Sequence, residues 1–157
     1  MSHACVGMLR LKAHRSMLKT TDLRERQLVT QKLMLIMMIA AAGGFGAIAR
    51  YGLGGLVQSI AGEDFPWGTV AVNVLGCLLF GVIWGAVVEE RWTCSVETRT
   101  VILVGFMGSF TTFSTFAAET GQRISDGQWL LALSNVAVQN IVGIAAFLLG
   151  WSIARLV

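Results

Sequence analysis

The stretch GFMGSFTTFSTF at 105–116 has two glycines and four phenylalanines, with four hydroxyls (Thr111, Thr112, Ser114 and Thr115) within five residues, and carries no charge. In hydrocarbon every one of those hydroxyls needs a hydrogen-bond partner. Phe113 and Phe116 are three apart, which stacks their rings along one helix face, with Thr112 and Thr115 as a hydroxyl row beside them. Ring edges carry partial positive charge, so phenyl edges with hydroxyl and amide donors can stand in for the hydration shell of a small anion. A phenylalanine pair alone reads as plain packing; the hydroxyl row beside it points to a polar path. Gly105 and Gly108 allow the helix to break there, exposing carbonyl oxygens able to coordinate a cation.

Further polar residues interrupt the other apolar segments. Asn73 lies one or two turns into the second, where its amide either joins helices or lines a pore; the residue type is compatible with both. Asn135 and Gln139 are four apart and share a face of the last segment, with Asn140 roughly a quarter-turn away. Arg50 follows a run of uncharged residues and precedes another, with no acid between Glu25 and Glu63 to neutralise it. It either snorkels to an interface or places a positive charge at the mouth of an anion path.

These residues must be held by membrane-spanning helices. The chain is 55% apolar and 13% charged, with 18 glycines and a mean hydropathy of +0.68, values foreign to a soluble domain of this length. Charge-free runs at 33–49, 65–88, 100–118 and 127–154 each approach or exceed the length a spanning helix requires. The expected fold is therefore all-α, with four transmembrane helices, the third broken near Gly108 to Thr112. The first span, about 33–60, is longer than a bilayer needs and should tilt, kink at Gly52 to Gly55, or project. The only proline, Pro66, sits just ahead of the second helix, which runs to about Val88. A polar loop occupies 89–98, the third helix starts near Arg99, and the fourth covers about 129–155. Helices in lipid associate through close contact, and Gly81 and Gly85, four apart, supply such a surface.

Residues 1–32 read as a separate, basic and disordered tail, and 33–157 as the membrane domain. The tail carries a net +5 and the remainder −2, so the basic character of the chain belongs to the tail. A basic stretch, an apolar run and Ala40 to Ala42 imitate a secretory leader, but apolar sequence continues to Ile60, which suits a first span better. Cys5, Cys77 and Cys94 share no metal or redox spacing, and both histidines, His3 and His14, are in the tail. The membrane domain thus lacks an imidazole for acid–base work, and no enzymatic activity is expected.

Through GGFGAIARY at 43–51, GTVAVN at 68–73 and GFMGSFTTFSTF at 105–116, the chain resembles the Fluc fluoride channels of the CrcB family over about 40–155. The resemblance implies an antiparallel, dual-topology homodimer in the cell inner membrane, with two fluoride pores, that lowers cytoplasmic fluoride by passive export. Phe113 and Phe116 then resemble the ring-edge fluoride ligands and Asn73 the pore asparagine, with Thr115 in the polar track and Arg50 in the vestibule. Gly108 and Thr111 match the positions whose backbone carbonyls bind a structural sodium ion in the family. Gln139 is placed in the fluoride pore by the same resemblance, where many relatives have a serine, and Ser109 replaces a frequent glycine. Fluoride, a second copy of the chain and the lipid bilayer are the implied partners; nucleic acid is not.

Without the tail, Arg91, Arg99 and Arg155 fall on one side of the membrane and Arg123 on the other, a weak bias compatible with both insertions. With it, ten positive residues face one. Translation is therefore expected to start near Met34, Met37 or Met38. Two rivals to a fluoride channel are a proton-coupled small multidrug transporter and a non-transporting scaffold. The first wants a carboxylate within the first span, whereas Glu25 and Glu63 lie outside it and Glu119 is near the end of the third helix.

Overall fold

The computed structural model describes the backbone over residues 3–156 and side-chain surroundings over 22–156. Contacts divide the chain into two units, 1–37 and 38–157. Six α-helical segments, α1 (His3–Ala61), α2 (Trp67–Val88), α3 (Val96–Thr100), α4 (Gly108–Phe110), α5 (Phe113–Ser125) and α6 (Trp129–Leu156), are joined by a π-helical stretch at Val101–Met107 and short turns. Among the described residues, four helical stretches are long and apolar enough to cross a membrane: Asp22–Ala61, Trp67–Val88, Val96–Ser125 and Trp129–Leu156. They match the four expected spans.

Two boundaries differ from the sequence expectation. Helix α1 continues back to His3, where a disordered tail is expected; no glycine or proline occurs between Gly7 and Gly43 to stop a helix. Within the first unit, the described residues 22–32 are all exposed. The third helix begins at Val96 rather than near Arg99, because Ser95 Oγ accepts the Thr98 N–H at 3.2 Å and caps it.

In the second unit, α2 packs extensively along α6. A side chain at Gly81 would run into the Phe147 carbonyl, and one at Gly150 into the Leu78 carbonyl, so the backbones touch. That closeness is the source of attraction where lipid offers no hydrophobic gain. Gly85 likewise sits against Trp151 and Ala154, in line with the expected role of the 81/85 pair.

Helix α1 ends at Ala61 and is followed by Gly62, whose φ of +89° suits the left-handed position just past a helix end. The Gln58 side chain then ties the turn: Nε2 donates to Gly62 O at 2.5 Å and Phe65 O at 2.9 Å, and Oε1 accepts the Gly68 N–H at 2.9 Å. Val72, Met107 and Phe110 form the buried centre, packed by Ala49, Leu53 and Phe106 among others. Met107 and Phe110 precede the interruption of the third span, so this cluster packs the first half of that span against α1 and α2.

Candidate functional site

The third span changes helical type twice before it breaks. The π-helical stretch Val101–Met107 leads into α4, Thr111 is extended at φ −83° and ψ 159°, and Thr112 follows at φ −149° and ψ 113°. A break near Gly108 to Thr112 is expected, and it is made by the two threonines. The glycines do not open the helix: Gly108 keeps ordinary right-handed helical angles, and Gly105 serves contact, since a side chain there would crowd Ala42 and the Ile39 carbonyl at 3.0 Å. β-Branched threonine favours extended backbone, so no special conformational freedom is required.

Asn73 holds the break from α2. Its Oδ1 accepts the Thr112 N–H at 2.8 Å, and its Nδ2 donates to the Thr112 carbonyl at 3.0 Å and to Gln139 Oε1 at 2.6 Å. One side chain thus satisfies both backbone groups of a buried residue where the helical ladder is lost. Gly76, one turn along α2, makes room for Thr111: a Cβ there would overlap Thr111 Cγ2.

From the break, α5 starts with Thr112 as its cap, the Thr112 Oγ1 accepting the Thr115 N–H at 3.2 Å and lying 2.8 Å from Thr115 Oγ1. The expected hydroxyl row therefore exists, and one member is engaged in capping. Phe113 and Phe116 meet with ring centroids 5.3 Å apart and planes tilted by 60°. Phe116 is 9% exposed and Phe113 78%, so only the first ring is seated within a single chain.

Two grooves, each of about 430 Å³, flank the break. The first is lined by Asn73, Gln139, Phe113, Phe116 and Thr111, with Asn140 and Cys77. The second is lined by Arg50, Thr115, Glu119, Gln58, Thr69 and Tyr51. Thr112 borders both. The expected residues are thus divided: Arg50 and Thr115 do not share the groove of the phenylalanine pair. Arg50 Nη1 reaches the Thr111 carbonyl at 3.5 Å, and Thr69 Oγ1 donates to Glu119 Oε1 at 2.6 Å. Asn135 and Gln139 do share a face, Gln139 Nε2 donating to Asn135 Oδ1 at 3.0 Å. Asn140, a neighbour off that face, nevertheless lines the first groove, its Nδ2 donating to Val136 O at 2.7 Å. Sequence reading left Gly76 and Thr120 aside. Gly76 carried no signal, and Thr120 could have been found only by placing it opposite Asn135, to whose Nδ2 it is bonded at 2.9 Å.

Both carbonyls expected to hold a cation have lost their helical donors. Thr112 N–H, which would close the bond to Gly108 O, goes to Asn73, and Thr115 N–H, which would close that to Thr111 O, goes to the Thr112 hydroxyl. These are neutral, hard oxygens. Among the described residues no group of three or more His, Cys, Asp or Glu side chains could hold a metal ion.

The family profile described as CrcB-like protein, Camphor Resistance (CrcB), matches residues 37–151. The chain belongs to the CrcB-like family. The fluoride-specific ion channel FluC of Nitrosococcus oceani is 50% identical over 119 residues, 76% of this chain and 94% of the relative. The FluC of Solidesulfovibrio magneticus gives the same identity and coverage. That of Nitratidesulfovibrio vulgaris strain Miyazaki F is 48% identical over 122 residues, 78% of this chain and 98% of the relative. The family match thus covers the break, both grooves, the second and third spans and most of the first and fourth, and leaves residues 1–36 and 152–157 outside.

Proposed function

We propose that this chain is a fluoride-specific ion channel that lowers cytoplasmic fluoride by passive export across the cell inner membrane. The observation that carries the reading is the first groove, where Phe113 and Phe116 meet the amides of Asn73 and Gln139 at a helix break. Family membership with relatives named fluoride-specific ion channels supports the choice of ion. Fluoride is small and strongly hydrated, so a pathway must replace its water with many weak donors, whereas a single strong cation would hold it too tightly. Ring edges, a glutamine N–H and threonine hydroxyls are such donors. Arg50, set in the second groove, would draw the anion toward Thr115 and Thr112, and the first groove lies on the other side of Thr112. Outside acid would form neutral HF that crosses the lipid; the cytoplasm would ionise it, and the trapped anion would leave through the pathway.

The working unit in this reading is an antiparallel, dual-topology homodimer. The 78% exposure of Phe113 supports it, since a ring-edge site with one open side suits completion by a second copy. The carbonyls of Gly108 and Thr111 would hold a structural sodium ion, which would tie two broken helices together electrostatically. Two carbonyls per chain are too few for a cation shell, and a second copy would double them. A multidrug transporter is less favoured, because Glu119, bonded to Thr69, belongs to α5 and not to the first span.

Growth of cells lacking a fluoride exporter tests the reading. Expression of this chain should restore growth in fluoride medium and Phe116→Ala should not; equal sensitivity with and without the chain, at matched membrane expression, would contradict it.

A further inference from the structure

The amides of the first groove belong to a longer hydrogen-bonded chain that runs through Asn135 and Thr120, neither of which lines it. Thr120 Oγ1 donates to the Phe116 carbonyl at 2.8 Å, Asn135 Nδ2 donates to Thr120 Oγ1 at 2.9 Å, and Gln139 Nε2 donates to Asn135 Oδ1 at 3.0 Å. Asn73 Nδ2 donates to Gln139 Oε1 at 2.6 Å, and Thr112 N–H donates to Asn73 Oδ1 at 2.8 Å. Both ends are backbone groups of the third span: the Phe116 carbonyl, within the phenylalanine pair, and the Thr112 N–H just ahead of it.

The direction of this chain is determined twice. The Phe116 carbonyl only accepts, so the Thr120 hydroxyl proton is committed to it and the hydroxyl oxygen faces Asn135, which must present its NH₂. Asn135 then turns its carbonyl to Gln139, Gln139 its NH₂ to Asn135 and its carbonyl to Asn73. From the other end, Thr112 N–H only donates, so Asn73 must present its carbonyl there. The two ends demand the same orientation of all three amides. Asn135 has 0% exposure, so water cannot substitute for a lost link there.

A consequence concerns which groups can meet an anion. Asn73 has two N–H bonds and both are committed, to Thr112 O and Gln139 Oε1. Gln139 uses one N–H on Asn135 and keeps the second, on a side chain that lines the groove.

We propose that Thr120 and Asn135 are positioning residues that act through Gln139: anchored on the Phe116 carbonyl, they fix its amide so that a free N–H is offered to the anion in the phenylalanine groove while Asn73 stays committed to the helix break. Neither residue touches the anion. The part concerning transport rests on the fluoride reading; the part concerning amide orientation does not.

The test compares Thr120→Val, which keeps shape and removes the hydroxyl, with Thr120→Ser, which keeps the hydroxyl. Two readouts are taken on the full chain: fluoride efflux from proteoliposomes, and amide exchange of Thr112 by NMR in detergent micelles. Loss of one anchoring hydrogen bond predicts roughly fivefold faster Thr112 exchange and roughly fivefold slower efflux in Thr120→Val, with Thr120→Ser within about twofold of the parent on both. If Thr120→Val does not fold, Thr120→Ala is used, with the same expectations. Unchanged exchange and efflux in the hydroxyl-free variant would overturn the proposal, and so would Thr120→Ser behaving like Thr120→Val. If the parent passes no fluoride while the hydroxyl-free variant still speeds Thr112 exchange, the orientation stands and the fluoride reading falls.

Discussion

Replacing Asn73 by alanine removes three hydrogen bonds at once, and two of them serve the backbone of Thr112, which is 8% exposed. A buried N–H or carbonyl left without a partner costs about 1–3 kcal/mol. Taking the lower figure for each group, because the neighbouring groove admits some water, Asn73→Ala should destabilise the folded chain by about 2 kcal/mol. For a protein of this size that corresponds to a fall in apparent Tm of about 4–8 °C. Asn140 is the internal control: it lines the same groove, but is exposed and bonded only to Val136 O of its own helix, so Asn140→Ala should stay within about 0.5 kcal/mol of the parent. Thermal unfolding of the three proteins in one detergent, followed by tryptophan fluorescence, reads the difference. If Asn73→Ala melts with Asn140→Ala, Asn73 does not hold the break and the reasoning from unpaired backbone groups is refuted.

Other perturbations probe separate parts of the structure. Gly76→Val should displace Thr111 and distort the break, giving a folded protein whose fluoride efflux is lost, whereas Gly150→Val should separate α2 from α6 and prevent recovery of folded protein; monodispersity on size exclusion distinguishes them. Phe113→Ala, at a ring 78% exposed in one chain, should assemble and melt close to the parent while efflux falls, as a scaffold role would not require. Replacing sodium by a large organic cation should lower the apparent Tm if the Gly108 and Thr111 carbonyls hold the ion, and Tm independent of sodium would contradict that. Removal of residues 1–32 should convert a single orientation into a mixture, read by reporters fused at the carboxyl terminus, since seven of the 12 basic residues go with them.

Periodicity and composition reach as far as the spans, the shared face of Asn135 and Gln139, and the glycine contacts of α2, because each depends on residues a few positions apart. The break is legible as a region and not as a residue. Glycines suggest it by their freedom, yet Thr111 and Thr112 make it, because Asn73, 39 residues from Thr112, takes over the lost helical bonds. The division into two grooves is likewise invisible in the string: Thr115 and Phe116 are neighbours, but adjacent helical positions face different ways and each meets a different helix. Thr120 illustrates the same limit. A threonine bonded to the carbonyl four residues earlier is ordinary, and it gains a role only when α6 brings Asn135 against it.

The central claim is that this chain passes fluoride and rejects larger halides. Purified protein in liposomes loaded with fluoride or with chloride, with a potassium ionophore to dissipate voltage, gives the most direct reading from an ion-selective electrode. The account predicts rapid fluoride release with no chloride release above that of protein-free vesicles. Folded protein that releases neither ion, or both at similar rates, would contradict it.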